Sequence, residues 1–237
     1  MTVPPAVELV GLTAGYGRIE VVHGIDLVVP AGSMFALLGP NGAGKTTTLK
    51  VIDGRHPANS GCLHIAGHHI NGAGADAIAR AGVCSIPEGR GIFPNLSVAE
   101  NLRVMNYSRL GLTDGEIRER VFDRFPILGQ RRSQTAGTLS GGQQQMLAMA
   151  RAVATDPALL LVDELSMGLA PLIVTELYDA LGSLAADGMT VLLVEQFART
   201  ALAIADYAAV MVHGEIQAVG QPADLQDVTD AYLGVAS

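Results

Sequence analysis

Residues 39–46 read GPNGAGKT, and residues 159–164 read LLLVDE. The first stretch follows the spacing G-x-x-x-x-G-K-[ST], with the apolar run SMFALLG (33–39) before it and the helical run KTTTLK after it. That spacing in that context suits phosphate capture. Gly39, Gly42 and Gly44 let the backbone bend and approach an anion closely. Successive amides at a helix N-terminus then form a cradle, and the helix dipole adds to it. Lys45 can reach phosphate oxygens, and Thr46 can offer a hydroxyl to Mg²⁺. The plain alternative is a glycine-rich turn beside a solvated lysine; strand and helix flanking the run argue against it.

In the second stretch, four apolar residues run straight into Asp163 and Glu164. Two adjacent carboxylates at the end of a buried strand need positive charge from elsewhere in the fold, a metal ion or an ion carried by a ligand. Asp163 is placed to hold the Mg²⁺ that Thr46 also touches, and Glu164, pointing differently, to polarise an attacking water. Alone, the pair would read as solvated loop acids. Beside GPNGAGKT it does not.

These residues need elements to position them. Apolar runs at 7–12, 24–29, 33–39, 62–67, 83–88, 158–163, 190–195 and 208–213 read as strands, and 45–53, 75–81 and 171–185 as helices. The alternation predicts a largely parallel sheet. Between Leu96 and about residue 155 the chain turns polar and helical, with SVAENLRVMNY, TDGEIRERVFDRF and a helix starting near Ser140. Ser97 and Glu100 fit a capping box. This stretch looks inserted between two parts of the sheet.

The chain has 237 residues, a length that fits one large α/β domain. With 49% hydrophobic and 16% charged residues, disorder is not expected. A formal charge of -8 argues against a nucleic-acid partner, which needs a basic face. Cys62 and Cys84 lack metal spacing and read as buried thiols. His64, His68 and His69 read as surface or turn histidines, Met146 and Met149 as packing residues, and EIRERVFDR as a solvated helix face with i,i+4 pairs. MTVPPAVELV has no basic segment followed by an apolar run, and no uncharged run reaches bilayer length, so a soluble intracellular chain is expected.

Residues 139–143 read LSGGQ, opening LSGGQQQMLAMARA (139–152). By itself this is a loop with Ser140 as N-cap of a helix. With GPNGAGKT before it and LLLVDE after it, the chain resembles the ATP-binding-cassette (ABC) ATPases over essentially its whole length. The resemblance implies an α/β fold: a P-loop NTPase (RecA-like) core with a mainly parallel sheet, an N-terminal antiparallel β subdomain and an inserted α-helical subdomain. The core would span about 1–87 and 156–237, and the helical subdomain about 88–155. ATP and Mg²⁺ are the implied ligands. Tyr16 would stack on adenine, and Gly39, Pro40, Asn41, Gly42, Ala43, Gly44, Lys45, Thr46 and Thr47 would hold the nucleotide. Thr46, Asp163 and Glu88 would face Mg²⁺. Glu164, Gln196 and Lys45 are the expected catalytic residues. Ser140, Gly141, Gly142 and Gln143 would act in trans, on ATP held by a second cassette.

The sequence departs from the family pattern in three places. Glu88 stands where a glutamine is usual, Gln196 where a histidine is usual, and Leu165 where proline commonly follows the acid pair. Gln196 can donate to a phosphate but cannot ionise. These features, with IPEGRGIFPNLSVAENL, GLAP (168–171), LLVEQ and AYLG, resemble the smaller ATPase of branched-chain amino acid import systems; related members serve urea and short amides. The implied partners are a second ABC ATPase, identical or a sister subunit, two membrane permease subunits, and indirectly an extracytoplasmic solute-binding protein. The implied location is the cytoplasmic face of the cell membrane. A soluble, non-transport ABC ATPase is the alternative; the interval between the two halves of the ATP site has no sustained heptads to favour it.

Overall fold

A computed structural model describes residues 3–89, 91–105 and 113–233. Met1, Thr2, Arg90, Asn106, Tyr107 and Gly234, which belong to patterns quoted above, lie outside the described residues. Strands β1 (Val7–Tyr16) and β2 (Ile19–Val29) form a hairpin, followed by β3 (Met34–Leu38). Helix α1 (Lys45–Ile52), β4 (Ser60–Ile65), β5 (His68–His69), α2 (Ala75–Arg80) and β6 (Val83–Ile86) come next. Four helices intervene: α3 (Val98–Arg103), α4 (Asp114–Arg124), α5 (Pro126–Gly129) and α6 (Gly141–Val153). The chain then returns through β7 (Leu159–Asp163), α7 (Pro171–Ala186), β8 (Thr190–Glu195), α8 (Ala198–Leu202), β9 (Tyr207–Val212), β10 (Glu215–Gly220) and α9 (Gln226–Leu233).

Two sheets result. The first, in the order β2-β1-β4-β5, is antiparallel. The second runs β10-β9-β3-β8-β7-β6 and is parallel except for β10 against β9. The expected mainly parallel core, N-terminal antiparallel sheet and inserted helices are all present. Strand β10 and helix α9 had no counterpart in the sequence reading. The former is an edge strand with no fully buried residue, so its apolar signal is weak.

The parallel strands are buried on both faces, which is why they read as unbroken apolar runs. Met34, Ala36 and Leu38 of β3 join Leu160, Val162, Val191 and Leu193 in one core. The alternate residues Phe35 and Leu37 join Leu159, Leu161, Leu192 and Val194 in the other, together with the first sheet. This alternation follows from the two-residue period of a strand. It leaves the carboxyl ends of β3, β7 and β8 side by side, where GPNGAGKT, DE and Gln196 begin.

The inserted helices share the first core. Val98 and Leu102, Ile117, Val121 and Phe122, Leu128, and Leu147 and Met149 all pack into it. The EIRERVFDR run is therefore only half solvated, and its described ion pairs reach other elements. Glu119 meets Arg132 at 2.9 Å, and Arg124 meets Asp187 at 2.6 Å. Ser97 caps α3 as expected, and Thr113 caps α4 in the same reciprocal way with Glu116. Met146 packs against the core from its edge. Cys62 and Cys84 are free thiols, each only partly buried. His64 and His69 touch edge to face on β4 and β5, with centroids 5.1 Å apart, and Glu8 lies 3.7 Å from His64.

Asn101 organises the loop that leads from β6 into this helical stretch. It is fully buried; Oδ1 accepts from Phe93 N–H at 2.8 Å, and Nδ2 donates to the carbonyls of Phe93 (2.9 Å) and Ser97 (3.0 Å). Asn101→Ala takes the partner from the Phe93 N–H and removes the second donor from carbonyls that keep backbone bonds from Leu96 and Asn101 N–H; we expect a loss of about 1 kcal/mol or more in unfolding free energy, read from urea denaturation. A change within a few tenths of a kcal/mol would show that the loop finds other partners.

Candidate functional site

The glycine-rich loop turns from β3 into α1. Gly42 and Gly44 take positive φ values of 81° and 105°, a conformation that side chains disfavour. A Cβ on Gly39 would strike the carbonyl oxygen of Met211. No side chain caps the first turn of α1, and no acidic residue occupies it. Its orphan amides and positive dipole end are left facing the loop, a ready site for anions.

Lys45 is 4% exposed. Its ammonium donates to the carbonyls of Gly39 at 2.8 Å and Pro40 at 3.1 Å, so it closes the loop across its own base. It also lies 3.8 Å from a carboxylate oxygen of Glu164. Part of the positive charge that the acid pair required therefore comes from the protein itself. Burial pulls the Lys45 pKa down, against the opposing pull of Glu164 and Asp163.

Asp163 ends β7 and is 5% exposed. Thr46 donates its hydroxyl to Asp163 at 3.1 Å. Burial pushes the Asp163 carboxyl up to about 6, and the Glu164 and Glu88 charges add to the shift while the Thr46 bond and Lys45 oppose it. Glu164 leaves the strand with φ of 46°, and its amide donates to Val194 at 3.0 Å. A left-handed conformation costs a non-glycine residue roughly 1–2 kcal/mol. The Glu164 carboxylate lies beside the Lys45 ammonium.

One cleft of about 320 Å³ gathers Asn41, Gly42, Ala43, Gly44, Lys45, Thr46 and Thr47 with Glu88 and Glu164. Val21 and Met167 also line it, and neither residue type announces such a role in sequence. Thr46 and Asp163 present hard oxygen donors within hydrogen-bonding distance of each other, and Glu88 adds another nearby. A few protein oxygens, with phosphate and water completing the set, is the donor chemistry Mg²⁺ favours. A larger hollow of about 550 Å³ lies between α4, the end of α6 and the end of α7, and contains none of the motif residues.

Other expected residues lie outside the cleft. Tyr16 is 47% exposed at the end of β1. Its ring packs on His56, with centroids 4.5 Å apart, and His56 is held by a 2.8 Å bond to the Gly15 carbonyl. Gln196 follows β8 and is exposed. Ser140 caps α6 in a reciprocal box with Gln143, and Gly142 abuts Ile173 so closely that a Cβ would collide with it. None of Ser140, Gly141, Gly142 and Gln143 lines the phosphate-loop cleft.

Comparison with known proteins places this geometry in context. The ABC transporter family profile matches residues 22–166. BraG, the high-affinity branched-chain amino acid transport ATP-binding protein of Pseudomonas aeruginosa, is 40% identical over 92% of this chain and 95% of its own length. BraF of the same organism, which carries the same description, is 31% identical over 98% and 99%. The solved structure of an ATP-binding subunit of an ABC transporter superposes with a TM-score of 0.80, at 30% identity, over 100% of this chain and 96% of that one.

The raised Asp163 pKa fixes a sign for stability. Its ordinary value is 3.8 and its folded value about 6, so the ionised form burdens the fold. That burden is absent below the lower value and complete above the upper one. Asp163→Asn keeps an acceptor for Thr46 and removes the charge. Without nucleotide or divalent metal, we expect the variant to be more stable than the parent by about 2 kcal/mol at pH 7.5 and no more stable at pH near 4. Urea denaturation at the two pH values checks it; a destabilised variant at pH 7.5 would contradict the assignment.

Proposed function

Because the chain belongs to the ABC transporter family and is an ATPase of that family, we propose that it binds Mg²⁺-ATP in the phosphate-loop cleft and drives solute import through membrane partners. The observation that carries the site is the meeting of Thr46 and Asp163 beside the uncapped start of α1, with Lys45 and Glu164 within the same charged cluster.

In this reading the α1 amides and Lys45 hold the β- and γ-phosphates, and Tyr16 offers its exposed ring to adenine. Thr46 and Asp163, with Glu88, would hold Mg²⁺, which would supply positive charge to offset the phosphates. Lys45 exchanges weak loop carbonyls for phosphate oxygens, which loosens its hold on Glu164. Glu164 is then free to accept the proton of an attacking water. Gln196 orients phosphate and water through its amide.

The signature residues Ser140, Gly141, Gly142 and Gln143 complete the site of a second cassette rather than their own. Their placement outside the cleft supports this, as does the anion-binding character of the α6 N-terminus. ATP would then favour a closed pair of cassettes, and hydrolysis would remove that bias. The inserted stretch, about 88–155, is the natural docking unit for a permease. Among the described residues, no helix is long and apolar enough to cross a membrane. In this reading permease subunits provide the span, with the cassette peripheral on the cytoplasmic side and an external binding protein delivering solute.

The likeness to BraG and BraF favours branched-chain amino acids as the solute. Assembled with its permease pair and binding protein in vesicles, the chain should show ATP hydrolysis stimulated by leucine, isoleucine or valine. Stimulation by urea or short amides alone would reassign the solute and leave the ATPase intact.

Two substitutions test the residue roles. Glu164→Gln should retain ATP binding and lower turnover by at least about a hundredfold, the scale of losing a general base; an unchanged rate removes Glu164 from its role. Gln196→His should keep or raise turnover, since imidazole also donates to phosphate. Complete loss of activity would show that the amide itself is required.

A further inference from the structure

Strand β8 ends in a carboxylate that the mechanism above does not use. Glu195 is 1% exposed. Its Oε1 accepts from the Tyr178 hydroxyl at 2.7 Å and from the Ser166 amide at 3.1 Å. Its Oε2 accepts from the Ser166 hydroxyl at 3.0 Å and from the Gln196 amide at 3.3 Å. Two donors thus converge on each oxygen, an arrangement that a carboxylate satisfies and an amide cannot. Burial and the adjacent carboxylate raise the Tyr178 pKa, which keeps its hydroxyl a donor. A buried carboxylate is costly unless its partners satisfy it; this one is fully engaged.

The partners are the informative part. Ser166 lies two residues beyond Glu164, in the turn that leaves β7. Gln196 is the next residue of the chain. The main chain at the same place ties in two more motif residues: the Gly39 amide donates to the Glu195 carbonyl at 3.3 Å, and the Glu164 amide donates to Val194 at 3.0 Å. Glu164 holds a left-handed backbone that its surroundings must maintain. The Glu195 side chain grips the turn on the far side of that residue.

We propose that Glu195 is a positioning residue for hydrolysis: its buried carboxylate locks the turn after Glu164 to the segment carrying Gln196, so that both keep register with the phosphate loop. It touches no reacting atom and acts through Ser166 and Gln196. The inference rests on the ATPase reading of the site.

The test uses the full-length chain, with kcat and KM for ATP, equilibrium binding of a non-hydrolysable ATP analogue, and the thermal midpoint measured together. Glu195→Gln points an amide N–H toward donors. It should lower kcat by about tenfold or more, with KM and analogue affinity within about twofold, the signature of an interaction needed for the chemical step and not for binding. Tyr178→Phe and Ser166→Ala each delete one donor and should cost less. Their effects in the Glu195→Gln background should be smaller than in the parent, because the three groups act as a unit. An unchanged kcat in Glu195→Gln overturns the proposal, and so do losses of kcat and analogue affinity that track the thermal midpoint. Should Glu195→Gln fail to fold, Tyr178→Phe and Ser166→Ala decide: parental kcat in both, or strictly multiplicative effects when combined, overturns it. A parent chain that hydrolyses no ATP would instead sink the ATPase reading on which the proposal stands.

Discussion

Lys45 is buried against two carboxylates at the mouth of a parallel sheet, and the surrounding structure answers to that crowding. One ammonium faces Glu164 directly and Asp163 and Glu195 at longer range, while Glu88 adds its charge at Asp163. Burial raises the Asp163 pKa, with the Glu164 and Glu88 charges adding to it, and the first turn of α1 has no side-chain cap. In the proposed function, a polyphosphate with its divalent cation would answer both. Burying these charges costs the fold stability while suiting a charged ligand, a familiar conflict between stability and function.

The fold supplies the crowding through strand order. Strands β3, β8 and β7 lie side by side and parallel, so three carboxyl ends that are distant in sequence open on one rim. Ligands gather there in open α/β sheets. The phosphate loop leaves β3, the acid pair leaves β7, and the Glu195–Gln196 step leaves β8 between them. The central strand is therefore the one whose end can touch both neighbours, as the Gly39, Glu164 and Ser166 contacts show. Two buried cores clamp the sheet from both faces, which fixes the backbone that carries the rim side chains.

In the proposed function, the site is completed by a second copy. The phosphate-loop cleft does not include Ser140, which starts α6 elsewhere on the surface. The α6 terminus is already capped by its own Ser140–Gln143 box, so any phosphate there competes with an internal hydrogen bond of 3.4 Å. That bond is long and exposed, and a charged ligand can displace it at little cost. In that reading, exchanging the internal cap for a ligand in a second copy would couple assembly to nucleotide without a separate switch.

Much of this was legible in the chain. GPNGAGKT, LSGGQ and LLLVDE specify backbone chemistry over a few consecutive residues, and glycine, lysine and paired acids at those spacings have few other uses. The parallel strands announced themselves as apolar runs because both faces are covered, and Ser97 announced α3 because a capping box is local. The edge strand β10 escaped because half-exposed positions carry little pattern. The Lys45–Glu164 contact escaped because it joins residues separated by most of the fold, and so did the Glu195 cluster. Glu195 itself sits in plain view in LLVEQ, yet no local rule says whether a carboxylate at a strand end meets water or four donors. Sequence by itself determined which chemistry the chain carries, since that is written in short runs whose meaning is local. The tertiary structure alone decided which charges face one another and how each is satisfied, because burial and long-range pairing arise only once the sheet has closed.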